Sequence, residues 1–322
     1  MDFKIKKISV VVYCNGNFEE TEKTLFSIID QNLSHILYDV LILNDNANKN
    51  FTNKLNNFIK DRELINYHVF SFEGYFGLPA LFSFLLKNKI GNNPYTTIIK
   101  SGDIIYDGWL EHFVDDLYKL DMDLYLFDLN DEFLIPKDKI GANGKKYVVS
   151  KSKMPMPFLP GKVSQKEAIN TYPLFLGKIW KTRKIKRITL NEDKILYQDI
   201  FMYYQMILLS KKIWYEKNYV GTIRRHSWIP DVMDKKRIEL LSLTLNKMIS
   251  NNPYINGVVL QLLALALEKT PKEDRNEYIL TNHRYLQNNY IIVRMYHLSK
   301  RKVLKLTKPF IDFGELPHDN DN

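Results

Sequence analysis

Short apolar runs alternate with amphipathic stretches along the first two thirds of the chain. The runs Ile8–Tyr13 and Tyr38–Leu43 are apolar at nearly every position, as strands buried on both faces are. Shorter runs predict strands at Tyr67–Phe70, Thr96–Ile99 and Leu124–Phe127. The stretches between them predict helices at Glu19–Gln31, Lys54–Ile59, Ala80–Lys87 and Trp109–Leu120. This alternation is typical of the α/β class, with βαβ units and a mainly parallel, Rossmann-like sheet.

The pattern changes twice further along the chain. Between Leu134 and Val163 several prolines and glycines interrupt it, which predicts a flexible loop or short hairpins. A helical pattern returns around Lys194–Leu209. Beyond Pro230 only helical stretches follow, namely Lys235–Ile249, Ile255–Leu267, Lys272–Gln287 and Ile291–Leu306. We therefore predict an α/β domain over residues 1–230 and an all-α C-terminal domain over 231–322.

The composition is that of a globular protein with an excess of positive charge. The 322 residues suggest about two domains, and 45% hydrophobic with 26% charged residues exclude disordered and collagen-like classes. Lys and Arg number 46 against 37 Asp and Glu, so the formal charge is +9. That excess favours an anionic partner: nucleic acid, a phosphorylated small molecule, an anionic polymer or a membrane face. The lone cysteine, Cys14, excludes an intrachain disulfide framework and a Cys-rich zinc cluster.

Membrane and targeting signals are weak. The apolar run after the basic start Met1–Lys7 is too short for a signal peptide, and Val258–Leu267 is too short to span a bilayer. We therefore expect a soluble, cytoplasmic protein. Arg284–Lys308 carries seven Lys and Arg and no acid. It could attract a phosphate-rich polymer or the anionic inner face of the membrane, or be a solvated helix face or a homo-oligomer contact. No recognised nucleic-acid-binding motif is present, so nucleic acid fits less well.

Polar residues follow three of the predicted strands. In an open parallel sheet, ligands bind beyond the carboxyl ends of the strands. Tyr13–Asn17 follows the first strand, Asn44–Asn46 the second and Lys100–Asp103 the fourth. Only Gly16 lies in the first turn, so a dinucleotide-binding glycine motif is missing, and no Walker A sequence occurs.

These strand ends, in this order, resemble the GT-A fold of inverting family 2 glycosyltransferases. The resemblance covers roughly Lys7–Pro230. With the helical C-terminal region, the chain is most similar to Gram-positive enzymes that add N-acetylglucosamine to wall teichoic acid and to related cell-surface polysaccharide transferases. The matching segments are Ile8–Val12, Leu25–Gln31, Val40–Asp45, Ile98–Ile105, Gly177–Lys181, Tyr197–Asp199 and Arg224–Ser227.

The resemblance implies roles for particular residues. An Asp at the position of Asp45 accepts a hydrogen bond from the uracil of a UDP-sugar, although it could instead be a helix N-cap or Asx-turn residue. Asp199 would be the catalytic base, with a helix N-terminal carboxylate as the alternative. The other implied contacts to the nucleotide sugar are Tyr13, Asn15, Asn44, Lys100, Asp103, Arg224, Arg225 and His226.

Two further groups of side chains leave alternatives open. Arg224, Arg225 and His226 would approach the donor diphosphate, or they form an exposed basic turn. Sugar faces stack on aromatic rings, so Tyr75 and Trp180 are candidates to line a sugar site, although most aromatic residues belong in the core.

The metal-binding Asp-x-Asp of the family is degenerate here. Lys100 and Gly102 stand at its two positions, which leaves Asp103 as a single candidate ligand for Mn²⁺ or Mg²⁺. One carboxylate is a poor divalent site. Three outcomes stay open: catalysis is lost and the fold serves binding, Lys100 supplies positive charge directly to the diphosphate, or Lys100 points into solvent.

We therefore expect a glycosyltransferase that moves a sugar from a nucleotide donor, a UDP-sugar, to a cell-surface polysaccharide or glycoprotein by inverting displacement. The alternative is a catalytically inactive homologue that acts as a binding or scaffolding subunit of a glycosylation complex. The segment Lys100–Asp103 is the feature that separates the two.

Overall fold

The computed structural model describes residues 7–14, 16–31, 36–45, 47–111, 119–136, 147–169, 171, 174–188 and 198–226. Within them the strands are β1 (Lys7–Cys14), β2 (Leu37–Asn44), β3 (Tyr67–Ser71), β4 (Tyr95–Lys100), β5 (Ile104–Ile105), β6 (Leu124–Pro136), β7 (Tyr147–Met154), β8 (Gly161–Val163), β9 (Lys178–Lys181) and β10 (Ile213–His226). The helices are α1 (Phe18–Ile29), α2 (Lys49–Asp61), α3 (Leu78–Lys87), α4 (Gln165–Ile169), α5 (Thr182–Ile185) and α6 (Gln198–Leu209). Residues 109–111 and 119–120 are also helical.

The strands form one ten-stranded sheet in the order β3-β2-β1-β4-β9-β6-β10-β5, with β7 beside β6 and β8 beside β10. Strands β1, β2, β3, β4, β6 and β10 point in one direction, and the other four run antiparallel to their neighbours. The α/β prediction with a mainly parallel sheet is therefore confirmed.

Local sequence signals explain where the first helices begin. The side chain of Asn17 accepts from the backbone N–H of Glu20 (3.2 Å) and caps α1, and Asn48 caps α2 in the same way at Phe51 (2.8 Å). Pro79 lies in the first turn of α3, where its missing N–H costs no helical hydrogen bond. The side chains of β1 from Ile8 to Cys14 are all buried, as the continuous apolar run predicted.

The structure adds strands that the apolar pattern did not reveal. The stretch predicted as a loop or short hairpins, Leu134–Val163, contains the end of β6 and all of β7, which pair from Leu129↔Met154 to Pro136↔Tyr147. Strands β5, β8, β9 and β10 were not predicted, because they are short or carry several charged residues.

The chain divides into two compact units, one formed by Met1–Glu192 with Gln205–Ser227 and the other by Asp193–Tyr204 with Trp228–Asn322. The predicted helices beyond Pro230, including the basic stretch Arg284–Lys308, lie outside the described residues, so the predicted C-terminal domain stays a prediction. In the described part of the chain, no helix combines the length and the apolar character needed to cross a bilayer.

Candidate functional site

Five of the predicted site residues lie at one edge of the sheet. In the parallel pairs, Cys14 of β1 is level with Asn44 of β2, Asn44 is level with Ser71 of β3, and Tyr13 is level with Lys100 of β4. The carboxyl ends of four neighbouring strands therefore meet. Tyr13, Asn44, Asp45, Lys100 and Asp103 are at or just beyond this edge, and Asn15 lies outside the described residues.

Asp45 is fully buried at the end of β2 and accepts three hydrogen bonds from its own chain. Its Oδ2 accepts from the Tyr13 hydroxyl and from the backbone N–H of Gly77, each at 2.8 Å. Its Oδ1 accepts from the backbone N–H of Phe76 at 2.8 Å. The carboxylate thus holds the segment that leads into α3, with Gly77 at the N-cap of that helix. Asp45 is not a helix N-cap residue, because Asn48 caps α2 and Gly77 is the N-cap residue of α3, and a role toward a nucleotide stays a proposal.

Tyr13 remains a hydrogen-bond donor in this arrangement. Burial raises the pKa of the Tyr13 hydroxyl well above its usual value, and neighbouring Tyr75 and the Asp45 carboxylate raise it further. A protonated phenol can donate to Asp45 over the whole physiological range. Tyr75 is half-buried and interacts with the Tyr13 hydroxyl, and its role in lining a sugar site stays a prediction.

Asn44 links three elements at the same edge. It is fully buried, and its Nδ2 donates to the hydroxyl of Thr52 in α2 and to that of Ser71 at the end of β3, each at 3.1 Å. Its amide group therefore fixes the spacing of β2, β3 and α2 below the candidate site.

The segment Lys100–Asp103 forms a tight turn at the end of β4. The backbone N–H of Asp103 donates to the carbonyl of Lys100 (3.0 Å), and the Asp103 Oδ2 accepts from the backbone N–H of Lys100 (3.3 Å). Gly102 has φ +95°, a conformation that glycine adopts without steric cost. The hydroxyl of Thr24 in α1 accepts from Gly102 N–H (2.9 Å) and donates to the Asp103 carbonyl (2.8 Å), which ties the turn to that helix.

The donor set of this turn does not fit a divalent cation. Asp103 is buried and its Oδ2 already accepts from the backbone, and the neighbouring positions carry Lys100 and Gly102. Among the described residues, no three His, Cys, Asp or Glu side chains come together as metal ligands would. Cations such as Mg²⁺ and Mn²⁺ need several oxygen ligands.

The remaining predicted residues lie on other elements. Asp199 is half-buried in the first turn of α6, in the second of the two units. Arg224, Arg225 and His226 end β10, level with Glu132, Phe133 and Leu134 of β6. Their backbone continues a strand and does not form a turn, and an approach to the donor diphosphate stays a prediction.

Trp180 does not line a sugar site. Its side chain is fully buried in β9 and packs against the ring of Phe175, with 6.0 Å between ring centroids. The indole belongs to the core, the commoner use of an aromatic side chain.

Sequence reasoning missed a polar cluster in the carboxyl half of β6 and β10. The Tyr106 hydroxyl lies 2.6 Å from the Thr222 hydroxyl, and Nδ2 of Asn130 donates to the Tyr106 hydroxyl at 2.5 Å. Asn130 is 24 positions and Thr222 is 116 positions from Tyr106 in the chain, so no local sequence motif could predict the cluster.

It also missed a buried lysine. Lys178 is fully buried in β9, and burial lowers the pKa of its ammonium group to about 7. A lysine inside the apolar run Phe175–Trp180 is the signal that could have found it.

Comparison with known proteins supports the fold. No protein-family model and no curated protein matches the sequence. Among solved structures, S. aureus TarS (residues 1–349) in complex with UDP-GlcNAc has a TM-score of 0.63 and 15% sequence identity, over 87% of this chain and 81% of that chain. Its complex with UDP has a TM-score of 0.62 and 16% identity, over 94% and 83%.

A mannosyltransferase from Pyrobaculum calidifontis, in complex with GDP-Man and Mn²⁺, has a TM-score of 0.52 and 10% identity, over 96% of this chain and 83% of that one. At these identities the likenesses show the fold alone. The chain has a glycosyltransferase fold.

Proposed function

We propose that the chain transfers a sugar from a UDP-sugar to a cell-surface polysaccharide or glycoprotein acceptor in the cytoplasm, with inversion at the anomeric carbon. The observation that carries the proposal is the gathering of Tyr13, Asp45 and Lys100 at the carboxyl edge of a glycosyltransferase fold. Similar solved structures bind UDP, UDP-GlcNAc or GDP-Man, which supports a nucleotide-sugar donor. The GT-A, family 2 assignment stays part of this proposal.

In this proposal Asp199 is the general base. Its carboxylate takes the proton of the acceptor hydroxyl while that oxygen attacks the anomeric carbon, and the bond to the diphosphate breaks. The half-buried position in the first turn of α6 supports the role, because a general base has to be open to the hydroxyl whose proton it takes.

Lys100 would balance the charge that develops on the leaving diphosphate. The turn after β4 lacks the ligands for a divalent cation, so no step is assigned to a metal even though the mannosyltransferase neighbour binds Mn²⁺. An ammonium group beside a phosphate provides positive charge without coordination geometry. Arg224 and Arg225 would add cationic hydrogen-bond donors from the end of β10, and His226 would add an imidazole.

A non-catalytic homologue that binds or scaffolds is the second candidate. It is favoured by the loss of the acidic pair at Lys100 and Gly102, and by the internal hydrogen bonds that occupy Asp45. Such a subunit would keep the fold and pair with an active transferase.

Calorimetric titration of the full chain with UDP, UDP-GlcNAc and GDP, with and without Mn²⁺, tests the donor site. We expect UDP and UDP-GlcNAc to bind equally well in both conditions. Lys100→Ala should weaken binding at least tenfold, whereas Lys60→Ala, an exposed lysine in the last turn of α2, should not. Absence of nucleotide binding by the wild type contradicts the UDP-sugar proposal, and dependence on Mn²⁺ contradicts the role of Lys100.

Turnover separates the two candidates. We expect Asp199→Asn to lower sugar transfer or donor hydrolysis at least a hundredfold with unchanged affinity for UDP, because only the proton acceptor is lost. Asp61→Asn, an exposed aspartate at the end of α2, is the matched control. A wild-type chain that binds UDP-sugar and turns over none, with any acceptor polymer supplied, supports the non-catalytic candidate.

A further inference from the structure

The edge of the sheet opposite the candidate site carries a concentration of positive charge. Strands β1, β4, β6 and β10 start there and antiparallel β9 ends there, with Tyr95 level with Lys181 and Leu124 level with Ile213. We call the surface of Lys7 and residues 88–94, 119–123, 181–188 and 210–212 the basic edge. It contains two acids, Asp121 and Asp123, and ten cations, namely Lys7, Lys89, Lys119, Lys181, Arg183, Lys184, Lys186, Arg187, Lys211 and Lys212.

Backbone hydrogen bonds join most of these segments into one surface. The N–H of Thr182 donates to the carbonyl of Pro94 (2.8 Å), and the N–H of Lys181 donates to the carbonyl of Asp123 (2.9 Å). The N–H of Asp123 in turn donates to the carbonyl of Lys212 (2.7 Å). Cations that are some 30 positions apart in the sequence therefore lie side by side.

Each of the two acids forms a salt bridge with one cation. Asp121 pairs with Lys181, and Asp123 pairs with Lys184. The hydrogen bond from Lys181 lowers the pKa of Asp121, and the charges of Lys212 and Arg183 lower it further, so these groups converge in space. Six exposed cations of the basic edge form no salt bridge among the residues that the structure describes: Lys89, Arg183, Lys186, Arg187, Lys211 and Lys212.

Exposed apolar side chains accompany the charge at the same end of the sheet. Leu120 lies between Lys119 and Asp121 and is 36% exposed. Leu37, level with Lys7 in the pairing of β1 with β2, is 53% exposed, and Ile65, just before β3, is 91% exposed. A soluble polyanion such as polyphosphate has no apolar region in which these side chains could be buried. The boundary between the headgroups and the acyl chains of a bilayer accommodates both cations and apolar groups.

We propose that the basic edge, with Leu37, Ile65 and Leu120, binds the surface of an anionic phospholipid bilayer. The cations contact the headgroup phosphates, and the three apolar side chains enter the headgroup region. The eight residues of β1 span about 26 Å between the two edges of the sheet. The candidate site at the carboxyl edge therefore faces away from the bilayer, open to soluble donors. This proposal is independent of the transfer reaction, because lipid binding is measured without substrate.

Co-sedimentation of the full chain with vesicles tests the proposal. We expect binding to vesicles of phosphatidylcholine with 30% phosphatidylglycerol, weakening as salt rises, and none to phosphatidylcholine alone. The variant with Arg183, Arg187, Lys211 and Lys212 changed to Gln should lose binding by about fivefold per charge, several hundredfold in all. Lys181 and Lys184 are left unchanged because they form salt bridges with Asp121 and Asp123.

A control variant removes the same charge elsewhere: Lys49→Gln, Lys54→Gln, Lys153→Gln and Lys217→Gln, all exposed and away from the basic edge. It should bind vesicles with nearly the affinity of the wild type. Equal losses in the two quadruple variants would mean that net charge, and no particular surface, drives binding. Absence of binding to the anionic vesicles by the wild type would overturn the proposal outright.

The apolar side chains distinguish a bilayer from a soluble polyanion. We expect Ile65→Ser with Leu120→Ser to weaken vesicle binding at least fivefold and to leave binding to polyphosphate and to poly-U RNA unchanged. If this variant binds vesicles like the wild type while polyphosphate or RNA binds through the same four cations, the basic edge is a site for a soluble polyanion and the membrane proposal fails.

Discussion

Replacement of Asp45 gives the sharpest test of how the carboxyl edge of the sheet is built. The carboxylate is fully buried and accepts from three donors, the Tyr13 hydroxyl and the N–H groups of Phe76 and Gly77. In Asp45→Ala all three donors lose their acceptor inside the protein. Each buried unsatisfied donor costs about 1–3 kcal/mol, so we expect a loss of about 4 kcal/mol in the free energy of unfolding.

Two further variants remove fewer of these hydrogen bonds and should therefore lower the free energy of unfolding by less. Tyr13→Phe removes one donor and should cost about 1 kcal/mol. In Asp45→Asn the amide keeps one acceptor oxygen and the phenol can reverse its hydrogen bond, so the loss should be about 2 kcal/mol. Because Tyr13 and Asp45 touch, the double variant Tyr13→Phe with Asp45→Ala should cost less than the sum of the single losses, by about 1 kcal/mol.

Urea denaturation followed by circular dichroism measures these free energies. The exposed Asp61→Ala is the control and should change stability by less than about 0.5 kcal/mol. A loss below about 1 kcal/mol for Asp45→Ala, or strictly additive losses in the double variant, would refute the reasoning. In that case the carboxylate does not hold the entry to α3, and a role restricted to the nucleotide would be favoured.

Three further predictions concern buried groups of the same unit. Burial opposes ionisation of Asp123, but the backbone N–H groups of Lys212 and Lys211 and the ammonium of Lys184 outweigh it and lower the pKa of the carboxyl. The ionised carboxylate therefore stabilises the fold above the unfolded pKa of about 4, and this stabilisation is lost as the pH falls through the lower folded pKa. Asp123→Asn should reduce the loss of stability at acid pH, as measured by urea denaturation at pH 2–6. Because burial lowers the pKa of Lys178 to about 7, stability should rise with pH between about 7 and 10, by a few kcal/mol, and Lys178→Met should abolish that rise; an unchanged slope refutes it. Gly177→Ala should lower the melting temperature by several degrees, since Gly177 has φ +71° and a Cβ there would lie 2.8 Å from Leu129; an unchanged melting temperature contradicts it.

Most of the first half of the sheet followed from its apolar runs. The predicted strands Ile8–Tyr13 and Tyr38–Leu43 are observed as Lys7–Cys14 and Leu37–Asn44, because a strand buried on both faces leaves a continuous apolar signature. Strand β10 was missed because its two register shifts and its charged residues hide that signature.

The chemistry of the candidate site was only partly accessible from the sequence. The positions of Asp45 and Lys100 at strand ends could be predicted, since the carboxyl ends of parallel strands share an edge. The partners of Asp45 could not, because Phe76 and Gly77 are 31 and 32 positions away and reach it only through the turn that precedes α3.

The +9 charge could be read from the sequence, but the placement of its cations in space could not. The sequence identified the excess of cations and an acid-free stretch near the C-terminus, but it could not bring the cations of 181–187 beside those of 211–212. What the sequence determined by itself is the alternation of strands and helices, since hydrophobic periodicity is a local property of the chain. What only the tertiary structure decided is which distant side chains meet, namely the three donors around Asp45, the burial of Lys178 and the basic edge, because strand register sets those contacts.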